Sequence, residues 1–224
     1  MCFNMRKITA IEAQKRNPNR VNIYLDDQFA FGLSRIVAAW LQAGQLISEE
    51  KIAALQEEDG REVALQKALH YLSYRARSLE EVRKNLEKHE IPEPVIENTL
   101  ERLQNAGLLN DHDFARTWVE NRNTFRPRGR RALRMELRQK GLAESVIETT
   151  LDEITDEESL ALAAASKHAR KLKGLAWLDF RNKLGGFLGR RGFPYEVIAS
   201  VTRKIWQEEH PSGGNHILEE EDEL

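Results

Sequence analysis

The sequence predicts a mainly α protein: three tandem three-helix repeats forming an elongated curved array, preceded by a small N-terminal region that contains a β-hairpin. Three observations predict it. Every periodic segment after Gly60 has helical spacing, a set of apolar positions recurs every 51 residues, and apolar–polar alternation is confined to the start of the chain. The expected divisions are residues 1–59 for the hairpin region, 60–109, 110–158 and 159–208 for the repeats, and 209–224 for an acidic tail.

The hairpin comes first. Residues 21–25 (Val-Asn-Ile-Tyr-Leu) and 28–33 alternate in polarity around Asp26-Asp27, which places two strands about a two-residue turn. A third strand is expected around residues 6–13, joined through the breaker Asn17-Pro18-Asn19. Ser34 is expected to cap a helix that runs through Gln42 and ends near Gly44, and Ser48 to start another that reaches about Glu58.

The repeat needs no gap. Val82, Leu133 and Leu184 correspond, as do Leu86, Leu137 and Leu188; Ile91, Leu142 and Phe193; Val95, Val146 and Val197; Ile96, Ile147 and Ile198; and Leu103, Ile154 and Ile205. Leu100 and Leu151 match at a position where the third copy has Thr202. Gly141 and Gly192 stand where the first copy has Glu90, a place that suits a helix turning back through a left-handed residue. In the first copy the helices read as 61–74, 79–88 and 93–105, with Ser78 and Glu81 forming a capping box. Such units are small for independent stability, and stacking them buries their shared faces.

Charge is uneven along the chain. The formal total is −2 with 31% charged residues, yet residues 122–140 carry Arg122, Arg126, Arg128, Arg130, Arg131, Arg134, Arg138 and Lys140 against Glu136 alone. On a helix, Arg130, Arg134 and Arg138 follow one another at i, i+4 and i+8 beside the apolar seam of Leu133 and Leu137, with no acidic i+4 partners. Phe125 in the preceding loop is available to stack on a base. Clustered arginine on one side suits phosphate contact, so the ridge points to nucleic acid or to an acidic protein groove. The pairs Arg170-Lys171, Arg190-Arg191 and Arg203-Lys204 read as surface decoration, and Arg75 and Arg77 as either local ion-pair partners of Glu80 or Glu81 or contacts to a partner. The tail from Glu208 carries acids and no Lys or Arg, and is expected to be disordered.

Catalysis finds little support. The six histidines are scattered without metal-ligand spacing, no phosphate-cradling Gly-rich loop is present, and Asp111-His112-Asp113 reads as a helix start capped by Asn110 or Asp111. No catalytic residue, metal or cofactor is expected. Trp40, Trp118, Trp177 and Trp206 read as core. The single cysteine, Cys2, excludes an internal disulfide and suits a reducing compartment. With neither a signal-peptide run nor a membrane span, a cytoplasmic protein is expected. Met5-Arg6-Lys7-Ile8 has the look of a translation start.

Three stretches, in order, resemble the RecX family: residues 72–79 (Leu-Ser-Tyr-Arg-Ala-Arg-Ser-Leu); residues 103–111 followed by Phe114-Ala115; and Arg122 through Gly129 with Leu133 and residues 137–142. The resemblance covers about residues 61–207. It implies three tandem three-helix repeats, in agreement with the periodicity. It also implies a monomeric, cytoplasmic modulator that binds in the groove of a RecA recombinase filament on single-stranded DNA and damps recombination and the SOS response. A sequence-independent nucleic-acid-binding protein without a recombinase partner is the alternative, and a general helical scaffold a third.

Overall fold

The computed structural model describes residues 5–210, so Cys2 and the expected tail from residue 211 onward lie outside the described residues. The chain forms two compact units: Met1–Arg77 with Glu81–Leu109, and Ser78–Glu80 with Asn110–Leu224.

In the first unit, β1 (Met5–Gln14), β2 (Asn17–Leu25), β3 (Gln28–Ser34) and β4 (Leu46–Ser48) form an antiparallel sheet in the order β3-β2-β1-β4. The Asp26-Asp27 turn has both residues left-handed (φ 51° and 66°), the mirror-image turn that matches strand twist. Asp tolerates this conformation, and here its side chain adds ties: Asp26 accepts from Arg6 Nε (3.0 Å) and from the Lys7 N–H (3.1 Å).

Several expectations for this region change. Asn17-Pro18-Asn19 opens β2, and the break falls at Lys15-Arg16. Ser34 ends a strand because it pairs with Arg20 and gives its N–H to Asp59 Oδ1 (2.6 Å); sheet pairing overrides its capping propensity. Only a 3-10 turn, Val37–Trp40, stands in place of the expected helix through Gln42. Trp40 is 89% exposed and belongs to no core. The two helices expected on either side of Gly60 are one, α1 (Glu49–Ser73). An interior glycine costs about 1 kcal/mol, a penalty outweighed by burial of Ile52, Leu55, Ala64 and Ala68 along the same helix. Ser48 caps α1, and buried Asp59 fixes it to the sheet through Arg20 (2.8 Å). The unit also takes in α2 (Leu79–Glu87) from Glu81 onward and α3 (Glu93–Asn105).

Then follow α4 (Asp111–Phe125), α5 (Arg130–Gln139), α6 (Glu144–Ile154), α7 (Glu157–Ala169), α8 (Trp177–Arg190) and α9 (Tyr195–Glu209). The recurrent positions on the second helix of each repeat form its core: Val82, Leu133 and Leu184, with Leu86, Leu137 and Leu188, are all fully buried. Each such side chain contributes about 1.5–3 kcal/mol. Glu90, Gly141 and Gly192 all have positive φ (58°, 80° and 86°) after the second helix of their repeats. The chain reversal is therefore shared even where the residue is not glycine.

Gly192 also meets the start of α5. A Cβ on Gly129 would sit 2.3 Å from the Gly192 carbonyl oxygen, and one on Gly192 would lie 2.6 Å from Ala132 Cβ. The Gly129 N–H donates to the Arg191 carbonyl (2.9 Å). This backbone contact joins the second repeat to the third and places Arg191 against the loop before α5.

Candidate polyanion interface

The basic segment spans the end of α4, the loop 126–129 and α5, and its charges meet three different environments. On α5 the ridge faces acids. Arg130 pairs with Asp152, Arg134 with Glu148 (2.5 and 2.7 Å), and Arg138 with Glu144 (both bonds 2.7 Å). The acids recur at i+4 on α6, so two antiparallel helices interlock as a ladder. Hydrogen bonds to Glu148 and Glu144 raise the arginines 134 and 138 above their ordinary values, and Arg134 holds the Glu148 carboxyl below its own. Exposed pairs of this kind add little stability, but they occupy the planar donor forks that phosphate would need.

A second group gathers on Glu136. It accepts from Arg122 Nε (2.8 Å) and Trp118 Nε1 (2.8 Å) and pairs with Arg128 (2.7 Å). Arg122 and Lys140 both lie over the Trp118 ring, at 4.6 and 5.0 Å. Two arginines thus share one carboxylate.

The third environment is the loop with the first turn of α5. Arg126 and Arg131 are exposed and have no acidic partner among the described residues. Arg191 joins them: its Nη1 donates to the Pro127 carbonyl (2.9 Å), and its guanidinium lies over Phe187 at 4.5 Å. Burial, then the charges of Arg128 and Arg126, push Arg191 below its ordinary value. Phe187 stacks on His168 at 3.8 Å with rings nearly parallel. Burial, then Lys171, Arg191 and Arg190, likewise lower His168. Phe125, at the end of α4 where the loop begins, is 70% exposed. Of the arginines in this segment, Arg126 and Arg131 are therefore the ones without a protein acid among the described residues, and Arg191 lies beside that loop.

Arg191, Phe187 and His168 do not stand out in the sequence, where Arg190-Arg191 resembles any other surface pair. A signal for Arg191 exists nonetheless. It lies 51 residues after Lys140, the template position next to the left-handed glycine. The other residues singled out have local roles. Arg75 forks onto Glu81 (3.0 and 3.2 Å) and Arg77 covers Tyr71 at 4.0 Å. Asn110 caps α4 through His112 N–H (2.9 Å), while Asp111 accepts the Leu79 N–H (2.8 Å). No group of three or more His, Cys, Asp or Glu that could hold a metal occurs among the described residues. No helix among them is long and apolar enough to cross a membrane.

Four family models match in chain order: the regulatory protein RecX N-terminal domain at residues 6–48, and the RecX first, second and third three-helix domains at 64–103, 110–151 and 156–202. The regulatory protein RecX of Bacillus pumilus is 35% identical over 206 residues, covering 90% of this chain and 78% of its own. That of Bacillus subtilis is 33% identical, covering 88% and 76%. A crystal structure of regulatory protein RecX superposes with a TM-score of 0.70 at 32% identity, over 88% of this chain and 98% of that one. RecX from Lactobacillus salivarius gives 0.61 at 26% identity, over 66% and 97%. With its N-terminal sheet and all three of its helical repeats matched in order, the chain belongs to the RecX family of regulatory proteins.

Proposed function

We propose that the protein modulates a RecA recombinase as a monomeric cytoplasmic inhibitor. It binds in the groove of the RecA filament on single-stranded DNA and damps recombination and SOS activities without catalysing a reaction. The observation that carries this reading is the gathering of Arg126 and Arg191, neither with an acidic partner among the described residues, beside the Glu136-paired Arg128 at a loop that opens on exposed Phe125. Arginine without an acidic partner, close to an aromatic ring, is suited to a phosphodiester backbone whose bases are accessible. The loop would make the polyanion contact, with Arg131 at its edge. The arginines 130, 134 and 138 would serve chiefly to hold α5 on α6. Binding that favours one filament conformation opposes the cycling that filament growth and ATP hydrolysis require.

The test is RecA ATP hydrolysis on single-stranded DNA with sub-stoichiometric protein. Inhibition with shortened filaments is expected; an unchanged rate and filament length would sink the reading. The same cluster also fits a nucleic-acid-binding protein with no recombinase partner. Salt-dependent DNA binding without any effect on RecA would favour that second reading.

A further inference from the structure

The 51-residue template lets one surface be compared across the repeats. Between its second and third helices, the first repeat sets Arg83 against Glu97 (2.6 Å) and Glu93. The second sets Arg134 against Glu148 and Glu144 at the matching positions. One template further on, the arginine is Gly185, the two glutamates are Ala199 and Tyr195, Asp152 is replaced by Arg203, and Leu151 by Thr202. The residues that build the ion-pair ladder on this face twice are absent from the third repeat.

A groove of about 530 Å³ lies in its place between α8 and α9, within the range of small-ligand sites. Arg181 and Arg203 line it, with no acid among its lining residues. Tyr195 at its edge is 82% exposed. Trp177 and Thr202 also line it, and their Nε1 and Oγ1 atoms are buried without a hydrogen-bond partner. An indole N–H can only donate, and buried donors are ordinarily satisfied. The groove thus combines the cation of Arg203, an unsatisfied donor and an open aromatic ring.

We propose that this groove binds one nucleotide unit of single-stranded DNA, with the base on Tyr195, the phosphate beside Arg203, and a base or sugar oxygen accepting from Trp177. An acidic peptide would engage Arg203 but leave the Tyr195 ring bare, and stacking on that ring is what a base supplies. The inference deepens the filament reading above, which rests on single-stranded DNA as the carried strand, but its test needs no recombinase.

The full-length protein, labelled with 15N, is titrated with hexathymidylate while the indole N–H signals are followed; loss of one signal in Trp177→Phe assigns it. The Trp177 signal is expected to shift on binding. Tyr195→Ala, a change at an exposed site, weakens that response by about fivefold or more, the lower end for loss of one base–aromatic stack. Gly185→Arg with Ala199→Glu restores the pair present in the other repeats and is expected to abolish the response with helix content intact. Three results overturn the proposal: hexathymidylate binding that leaves the Trp177 signal in place, an unchanged response in Tyr195→Ala, or a larger shift with hexaglutamate than with hexathymidylate. A full shift with inorganic phosphate alone at equal concentration also overturns it. RecA inhibition with a silent Trp177 removes the groove and keeps the regulator; a responsive Trp177 without RecA inhibition does the reverse.

Discussion

The second and third repeats are cut from one template, yet they present opposite surfaces. In the second, Arg130, Arg134 and Arg138 are matched by Asp152, Glu148 and Glu144, so a face dense in arginine is electrically quiet. In the third, the matching acids and two of the three arginines are gone, and Arg191 is left with Arg126 and Arg128 as neighbours. The difference teaches that a run of bases in sequence measures charge, whereas availability is decided by the helix packed opposite. The eight bases of residues 122–140 divide accordingly, and the arginines without an acidic partner among the described residues are Arg126 in the loop and Arg131 in the first turn of α5, rather than those of the ladder.

The largest expected effect tests that division. Arg126→Ala with Arg191→Ala should weaken binding to single-stranded DNA or to the RecA filament by roughly 100-fold, at about tenfold for each charge-assisted hydrogen bond removed. Binding titrations in one buffer check it, and near-native affinity would return the α5 face to consideration. Next in size is the junction itself. Gly129→Ala forces a Cβ onto the Gly192 backbone and should cost about 1–3 kcal/mol, read as a lower melting temperature; an unchanged transition would show that the junction relaxes freely.

A pH effect of several-fold comes third. Burial, then the charges of Lys171, Arg191 and Arg190, hold His168 below its ordinary value of about 6.5. In the free protein, its lowered value means that the unfolded chain takes up the proton more readily. The fold therefore loses stability as pH falls through that window. A bound polyanion offsets the charge part of that lowering and favours proton uptake, so affinity should rise from about pH 8 toward about pH 6, with a flatter profile in His168→Gln. An equally steep profile in that variant would remove His168 from the linkage. The smallest effect belongs to Arg130→Gln, Arg134→Gln and Arg138→Gln together: affinity should stay within about threefold, as expected for arginines already engaged in exposed ion pairs.

The fold was legible where periodicity reports burial. Val82 and Leu86, with their counterparts in the next two repeats, are buried as their spacing required, and the Asp26-Asp27 hairpin formed where polarity alternates. It was illegible where a tertiary partner overrides a local signal. Ser34 reads as a cap until Asp59, 25 residues away, takes its N–H, and Gly60 reads as a boundary until α1 buries residues on both sides of it. The candidate interface followed the same rule. A search for acids four residues along α5 passes over Glu144, Glu148 and Asp152 because they lie on the next helix, at the same spacing. Arg191 is hidden for another reason: its importance comes from a backbone contact between two glycines, which no charge count reveals.

The central claim, that polyanion contact resides in the loop and Arg191 rather than on α5, is tested most directly by the salt dependence of DNA affinity. Measured for the wild type and the two arginine variants side by side, the slope of log affinity against log salt should fall by nearly two for Arg126→Ala with Arg191→Ala, about one for each phosphate contact. It should remain unchanged when Arg130, Arg134 and Arg138 are replaced together. A slope that falls in the α5 variant and holds in the loop variant would contradict the account.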